Sequence, residues 1–214
     1  MNLQVLEALG IKKAFVLGTS QGGWITVRMA LLGPDVIEGI IPLGTSLDYE
    51  SERTRKHGCW NGPADLTPSI KKWTTNQSVS SFEPGEDYSN FLIDIGFGKD
   101  CDKSVRKYWN DTIRENYQGD DGRRRIRMAA INLAERDGLH SRLPDVKCPV
   151  LWLHGTKDVV YTVPNAKEEI KLFTNSKDAK LVVVQDGQHF LSFSHPKVSF
   201  TMDFFDRVIL RCLY

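Results

Sequence analysis

The stretch Ala14-Phe15-Val16-Leu17-Gly18-Thr19-Ser20-Gln21-Gly22 constrains the fold more than any other part of the sequence. An apolar run that breaks on glycine, reaches a serine and continues into Trp24-Ile25-Thr26-Val27 reads as a strand turning sharply into a helix. Such a turn strains its central residue and crowds its neighbours, so Gly18 and Gly22 are expected where a Cβ would strike backbone. Ser20 Oγ then stands exposed at the carboxyl edge of a sheet. The bare G-x-S-x-G pattern occurs by chance in loops, and the flanking strand and helix are what make it specific.

The same alternation recurs on either side. Residues 2–9 put Leu3, Leu6 and Leu9 on one helical face, and Gly10 ends that helix before the strand at 13–18. The helix from Gln21 to Leu32 is apolar nearly all round and stops at Gly33-Pro34, with a second strand at 37–43. After Pro144 the pattern predicts a strand at 149–154, a helix at 164–173, a strand at 180–184 and a final helix at 196–210 that begins on Pro196, a favoured first-turn residue. Four strands separated by helices predict an α/β fold, an open parallel sheet covered on both faces.

The middle of the chain differs. Between about 46 and 142, Gly62-Pro63, Pro68 and Pro84-Gly85 punctuate short helix-like pieces rich in aromatics and charge. The expected organisation is a core of 1–45 and 143–214 with an inserted helical cap, 46–142, whose longest helices are Asp102 to Tyr117 and Gly122 to Arg136. Trp60, Trp73, Phe91, Phe97 and Trp109 give this segment bulky apolar surface, suited either to roofing a substrate pocket or to packing the segment on itself.

Composition excludes some partners. The 28 basic and 27 acidic side chains leave a formal charge of +1, so no global field favours nucleic acid or an anionic membrane. The run Arg123-Arg124-Arg125-Ile126-Arg127 is expected to be a solvated helix face, given Asp120, Asp121, Glu135 and Asp137 close by and no interleaved aromatics. No run approaches the roughly 18 apolar residues that span a bilayer, and Met1-Asn2-Leu3-Gln4 lacks the character of a secretory signal, which points to a cytoplasmic protein. Cys59, Cys101, Cys148 and Cys212 are scattered without a C-x-x-C, so reduced thiols are expected rather than a disulfide framework or a zinc site, and neither a metal nor an organic cofactor is indicated.

A serine hydroxyl is a poor nucleophile at neutral pH and needs an imidazole to take its proton and a carboxylate to orient that imidazole. Asp158, in His154-Gly155-Thr156-Lys157-Asp158, follows the third strand, and His189, in Asp186-Gly187-Gln188-His189, follows the fourth. Each lies where a loop reaches the sheet edge that holds Ser20. Asp158 could instead close a turn or cap the next helix, and Asp186 is a rival carboxylate whose place at a strand end suits a turn. His154 reads as a structural residue at a strand terminus, and His57, His140 and His195 have no motif around them.

The order Ser20, Asp158, His189, with Gly18-Thr19-Ser20-Gln21-Gly22-Gly23, His154-Gly155-x-x-Asp158 and Gly187-x-His189, resembles the α/β-hydrolases over essentially the whole chain outside the cap. Gly18 to Trp24, followed by Ile40-Ile41-Pro42-Leu43-Gly44-Thr45-Ser46, is also similar to fungal hydrolases of host-selective toxin clusters of the AK type. The resemblance implies a catalytic triad of Ser20, Asp158 and His189, an oxyanion donor at the Gln21 N–H, and a small-molecule acyl substrate. The narrower resemblance implies a toxin-biosynthetic, peroxisome-linked role, although Arg211-Cys212-Leu213-Tyr214 is not a Ser-Lys-Leu-type address.

The family pattern also has four or more strands ahead of the serine turn and a second oxyanion donor, often beside a His-Gly pair, within them. Here about a dozen residues precede the first strand. That departure implies a truncated chain with an open strand edge at 13–18, available to a partner. Two functions therefore compete at this level: an active serine hydrolase, and a catalytically weak relative with a binding or accessory role.

Overall fold

The computed structural model describes residues 1–199. In chain order the elements are α1 (Asn2–Ala8), β1 (Ala14–Thr19), α2 (Gln21–Leu32), β2 (Ile37–Leu43), α3 (Glu52–Lys56), α4 (Gly62–Lys72), α5 (Glu86–Phe97), α6 (Lys103–Asn116), α7 (Gly119–Ala134), β3 (Val150–Gly155), α8 (Val163–Glu169), β4 (Ala179–Val184), α9 (Leu191–Ser194) and α10 (Pro196–Ser199). Beyond residue 199 the helix expected at 196–210 lies outside the described residues. The chain divides into two compact units, Met1–Asp48 with Gly138–Tyr214, and Tyr49–Asp137.

The first unit is the α/β unit. Its four strands form one parallel sheet in the order β1-β2-β3-β4. Side chains alternate across the two central strands, so Ile40, Val150 and Trp152 enter one core with α2, while Ile41, Leu43, Leu151 and Leu153 enter another with Val184 and Leu191. Burial on both faces explains why Ile40 to Leu43 and Val150 to Leu153 read as continuous apolar runs. Leu3 and Leu6 of α1 pack on the first core as expected, but Leu9 lies past the end of α1 and is exposed. The helix expected at 164–173 is α8 continued by one 3₁₀ turn, Ile170–Leu172.

The second unit is all helical. Asp102 caps α6 by accepting from the Ser104 N–H at 2.7 Å, and Ser51 caps α3 through the Thr54 N–H. Leu66 of α4, Trp73 at its end, and Ile126 and Ala130 of α7 make its core. The aromatics pack on one another: Trp73 meets Tyr88 edge-to-face at 4.7 Å, and Phe97 stacks with Trp109 at 5.3 Å and Trp60 with Phe91 at 6.4 Å. The basic run corrects one expectation. Arg124 and Arg125 are exposed ion-pair partners of Asp120 and Asp121, but Arg123 is buried, pairs with Asp120 at 2.8 Å and donates to the Trp73 carbonyl. A guanidinium with five donors can hold a carboxylate and a helix-end carbonyl together, which a solvated side chain would not do.

Candidate active site

Ser20 sits between β1 and α2 with φ 57° and ψ −123°. This conformation costs a non-glycine residue on the order of 1–3 kcal/mol, and such strain persists only where surrounding structure enforces it. The enforcement is visible in the glycines. A Cβ on Gly18 would land on the Gly22 carbonyl, so β1 and the first turn of α2 approach as closely as backbone allows. Gly22 itself departs from expectation, since a Cβ there would meet nothing within 4 Å. The second obligatory glycine is Gly23, where a Cβ would lie 2.7 Å from Thr45 Cγ2. The G-x-S-x-G pattern thus contains one glycine imposed by packing and one that is not.

Gln21 opens α2, so its N–H belongs to the first-turn donors that have no acceptor inside the helix. It adjoins Ser20 where the helix dipole is positive, the local electrostatics expected of an oxyanion contact.

Asp158 and His189 meet directly. Both are buried, and His189 Nδ1 lies 2.9 Å from Asp158 Oδ2. The other carboxylate oxygen, Oδ1, accepts from the Val160 and Tyr161 N–H groups at 2.8 and 3.0 Å, which fixes the carboxylate plane. Burial is the largest influence on Asp158 and pushes its carboxyl up, but the charge and hydrogen bond of His189, with His154 and the Tyr161 N–H, bring it below the ordinary carboxylate range. An ionised Asp158 and a proton on Nδ1 leave His189 Nε2 as the basic nitrogen. Tyr161 and Phe190 place their rings 5.9 and 5.3 Å from the imidazole.

The end of β2 joins this pair to Ser20. The Ser20 N–H donates to the Leu43 carbonyl at 2.9 Å. The next residue, Gly44, has φ +47°, and a Cβ there would lie 2.7 Å from the His189 carbonyl oxygen and 3.0 Å from Asp158 Oδ2. Two consecutive residues therefore touch the serine turn on one side and the carboxylate–imidazole pair on the other. Gly44 stood in the sequence only inside the Ile40–Ser46 stretch, with no site role assigned to it. Its role follows from β2 lying between β1 and β3, with the loops after β3 and β4 folding back over its carboxyl end.

The rival carboxylate is elsewhere. Asp186 has φ 58°, is exposed and pairs with Lys157 at 3.1 Å, as a turn residue would. His154 is fully buried, and His140 contacts Glu169 Oε1 at 2.8 Å. That glutamate, 0 % exposed, also accepts from Ser46 Oγ and the Leu47 N–H, both at 2.8 Å, tying α8 to the segment after β2. His140 carried no local signal, whereas His154 lies in the His154-Gly155-x-x-Asp158 motif and is the buried strand-end residue expected there. Among the described residues no group of three or more His, Cys, Asp or Glu side chains is arranged to hold a metal ion, and no helix is long and apolar enough to cross a membrane.

A family model for the alpha/beta hydrolase fold matches residues 1–196. Among solved structures, an esterase (EaEST) from Exiguobacterium antarcticum is similar at 18% identity with a TM-score of 0.70, over 97% of this chain and 70% of that one. An enol-lactonase from Burkholderia xenovorans LB400 is similar at 19% identity and TM-score 0.69, over 99% of this chain and 70% of that one. A thermophilic esterase from Thermogutta terrifontis gives 18% identity and TM-score 0.69, over 95% and 69% of the two chains. No curated protein matches the chain.

Proposed function

Because the chain belongs to the α/β-hydrolase fold family, we propose that it is a serine hydrolase acting on an ester, thioester or lactone of a hydrophobic acyl group. The observation that carries this reading is the junction at Leu43-Gly44, which bonds the Ser20 turn and abuts the Asp158–His189 pair. In the reaction, His189 Nε2 takes the Ser20 hydroxyl proton as Oγ adds to the acyl carbonyl. Asp158 holds the Nδ1 proton and stabilises the imidazolium. The Gln21 N–H faces the oxyanion, and His189 returns its proton to the leaving alcohol or thiol. Water, deprotonated by the same nitrogen, then releases the acid and restores Ser20. The half-buried Phe190 ring beside the imidazole favours an apolar acyl group over a charged one.

The similarity of Gly18 to Trp24 and Ile40 to Ser46 to fungal toxin-cluster hydrolases supports assigning that reaction to fungal toxin or secondary-metabolite biosynthesis. A second reading, a binding or accessory protein, draws support from β1. Among the described residues β1 is an edge strand, and Leu17 on it is 44% exposed.

A fluorophosphonate probe separates the two. Labelling of the purified protein at Ser20, lost in Ser20→Ala and in His189→Ala, is the expected result. A wild-type protein that is folded by circular dichroism yet takes up no probe would leave only the accessory role.

A further inference from the structure

We propose that Thr156 is a positioning residue for this reaction: its hydroxyl replaces a main-chain acceptor where β3 and β4 end, and so fixes the loop that carries His189 against the loop that carries Asp158. The inference rests on the hydrolase reading above and concerns a side chain outside its triad.

β3 and β4 pair in parallel as far as Gly155 beside Val184. One step further the Thr156 N–H still donates to the Val184 carbonyl, at 3.0 Å. Regular parallel pairing would next send the Asp186 N–H to the Thr156 carbonyl. Instead the Asp186 N–H donates to Thr156 Oγ1, at 2.8 Å. A side-chain oxygen therefore closes the ladder, and the main chain after Thr156 is free to turn toward Asp158. Exposed threonines in loops commonly bond within their own turn, whereas this one accepts from an amide 30 residues on.

The joint continues on both sides of this bond. The Lys157 N–H donates to the Gly187 carbonyl at 2.9 Å, and a Cβ on Gly155 would overlap that same carbonyl, so the two loops meet backbone to backbone. Asp186 has φ 58°, a left-handed conformation that a non-glycine residue keeps only where its surroundings enforce it, and the bond from its N–H to Thr156 is part of that enforcement. Lys157 Nζ and Asp186 Oδ1 also pair at 3.1 Å, but both side chains are more exposed than buried, so the ion pair adds little. Asp158 follows Thr156 by two residues and His189 follows Asp186 by three, so this joint sets the 2.9 Å separation of His189 Nδ1 and Asp158 Oδ2. Without the hydroxyl acceptor the His189 loop shifts against the Asp158 loop. The imidazole then loses its alignment with the carboxylate, which slows the chemical step and leaves substrate binding as it was.

The test compares Thr156→Val, which keeps the shape and removes the acceptor, with Thr156→Ser, which keeps the acceptor, and with Lys157→Gln, which removes only the ion pair. Hydrolysis of p-nitrophenyl acetate gives kcat and KM for each protein, and the low-field proton NMR signal of the His189–Asp158 hydrogen bond is recorded alongside. Thr156→Val is expected to lower kcat about three- to tenfold with KM within about twofold, and to shift or broaden the low-field signal. Thr156→Ser and Lys157→Gln are expected to keep kcat and the signal close to wild type. A Thr156→Val protein that melts earlier yet retains wild-type kcat and the wild-type signal would make Thr156 merely structural and overturn the proposal. An equal loss in Thr156→Ser or in Lys157→Gln would overturn it as well, because the hydroxyl acceptor would then not be the cause. Should the wild type take up no fluorophosphonate and hydrolyse no ester, the hydrolase reading fails, and the low-field signal alone decides whether Thr156 holds the Asp158–His189 pair together.

Discussion

At Gly18 a single hydrogen in place of a methyl group decides whether the serine turn can exist. A Cβ there would occupy the position of the Gly22 carbonyl, backbone that cannot yield without moving the start of α2. Gly18→Ala is therefore expected to cost about 3 kcal/mol or more in urea unfolding, or to abolish fluorophosphonate labelling if the turn deforms instead. Gly22→Ala is expected to be neutral or to stabilise by up to about 1 kcal/mol, because its Cβ meets open space and α2 gains helix propensity. Equal losses at the two positions would show that the close approach of β1 and α2 is not what selects glycine. Thiols differ in the same local way: burial pushes the Cys148 thiol up to about 11, so it is not a reactive group at neutral pH.

At the scale of elements, α7 shows how composition misleads. Its Arg-rich run reads as a solvated face, yet Arg123 points inward and binds both Asp120 and the Trp73 carbonyl at the end of α4. Replacing it with alanine leaves the Trp73 carbonyl without this donor, while Asp120 keeps Arg124 and the Val79 N–H. Arg123→Ala is expected to destabilise by about 2 kcal/mol, whereas Arg125→Ala, which breaks an exposed pair with Asp121, is expected to change stability by less than about 0.5 kcal/mol. A urea midpoint for Arg123→Ala equal to that of Arg125→Ala would rule out a buried role. The strands were more legible. β1 to β4 could be placed within a residue or so because each carries a short apolar run, which burial on both faces explains for the central β2 and β3 while β1 and β4 keep exposed positions. The direction in which one arginine of four points is not encoded by local pattern, because four adjacent positions on a helix sample every direction around its axis.

For the whole molecule, stability against pH follows from two buried groups of the α/β unit. Burial holds His154 neutral in the folded protein, while in the unfolded chain it takes up a proton below about pH 6.5. The unfolded state then binds more protons, so this contribution is complete above about pH 6.5 and falls as the solution is acidified below it. Asp158 lies below its ordinary range when folded, so its contribution is present above about pH 3.9 and is lost only as pH falls through the lower folded value. Urea midpoints at pH 7.5 and 5.5 should differ in the wild type and converge in His154→Gln. Equal sensitivity in both proteins would assign the slope to other groups. By itself the sequence determined the strand-turn-helix at Ser20, the βα alternation around it and the chain order of Ser20, Asp158 and His189, because each depends on residue type and spacing within about ten residues. Only the tertiary structure decided that Gly23 and not Gly22 is the second obligatory glycine, that Leu43-Gly44 joins the serine turn to the carboxylate–imidazole pair, and that His154 faces Asp158. Those facts depend on how neighbouring strands and loops pack, from the i,i+4 approach of His154 and Asp158, through the β1–β2 pairing about twenty residues apart, to the β2–β3 pairing that brings Ile40 beside Val150.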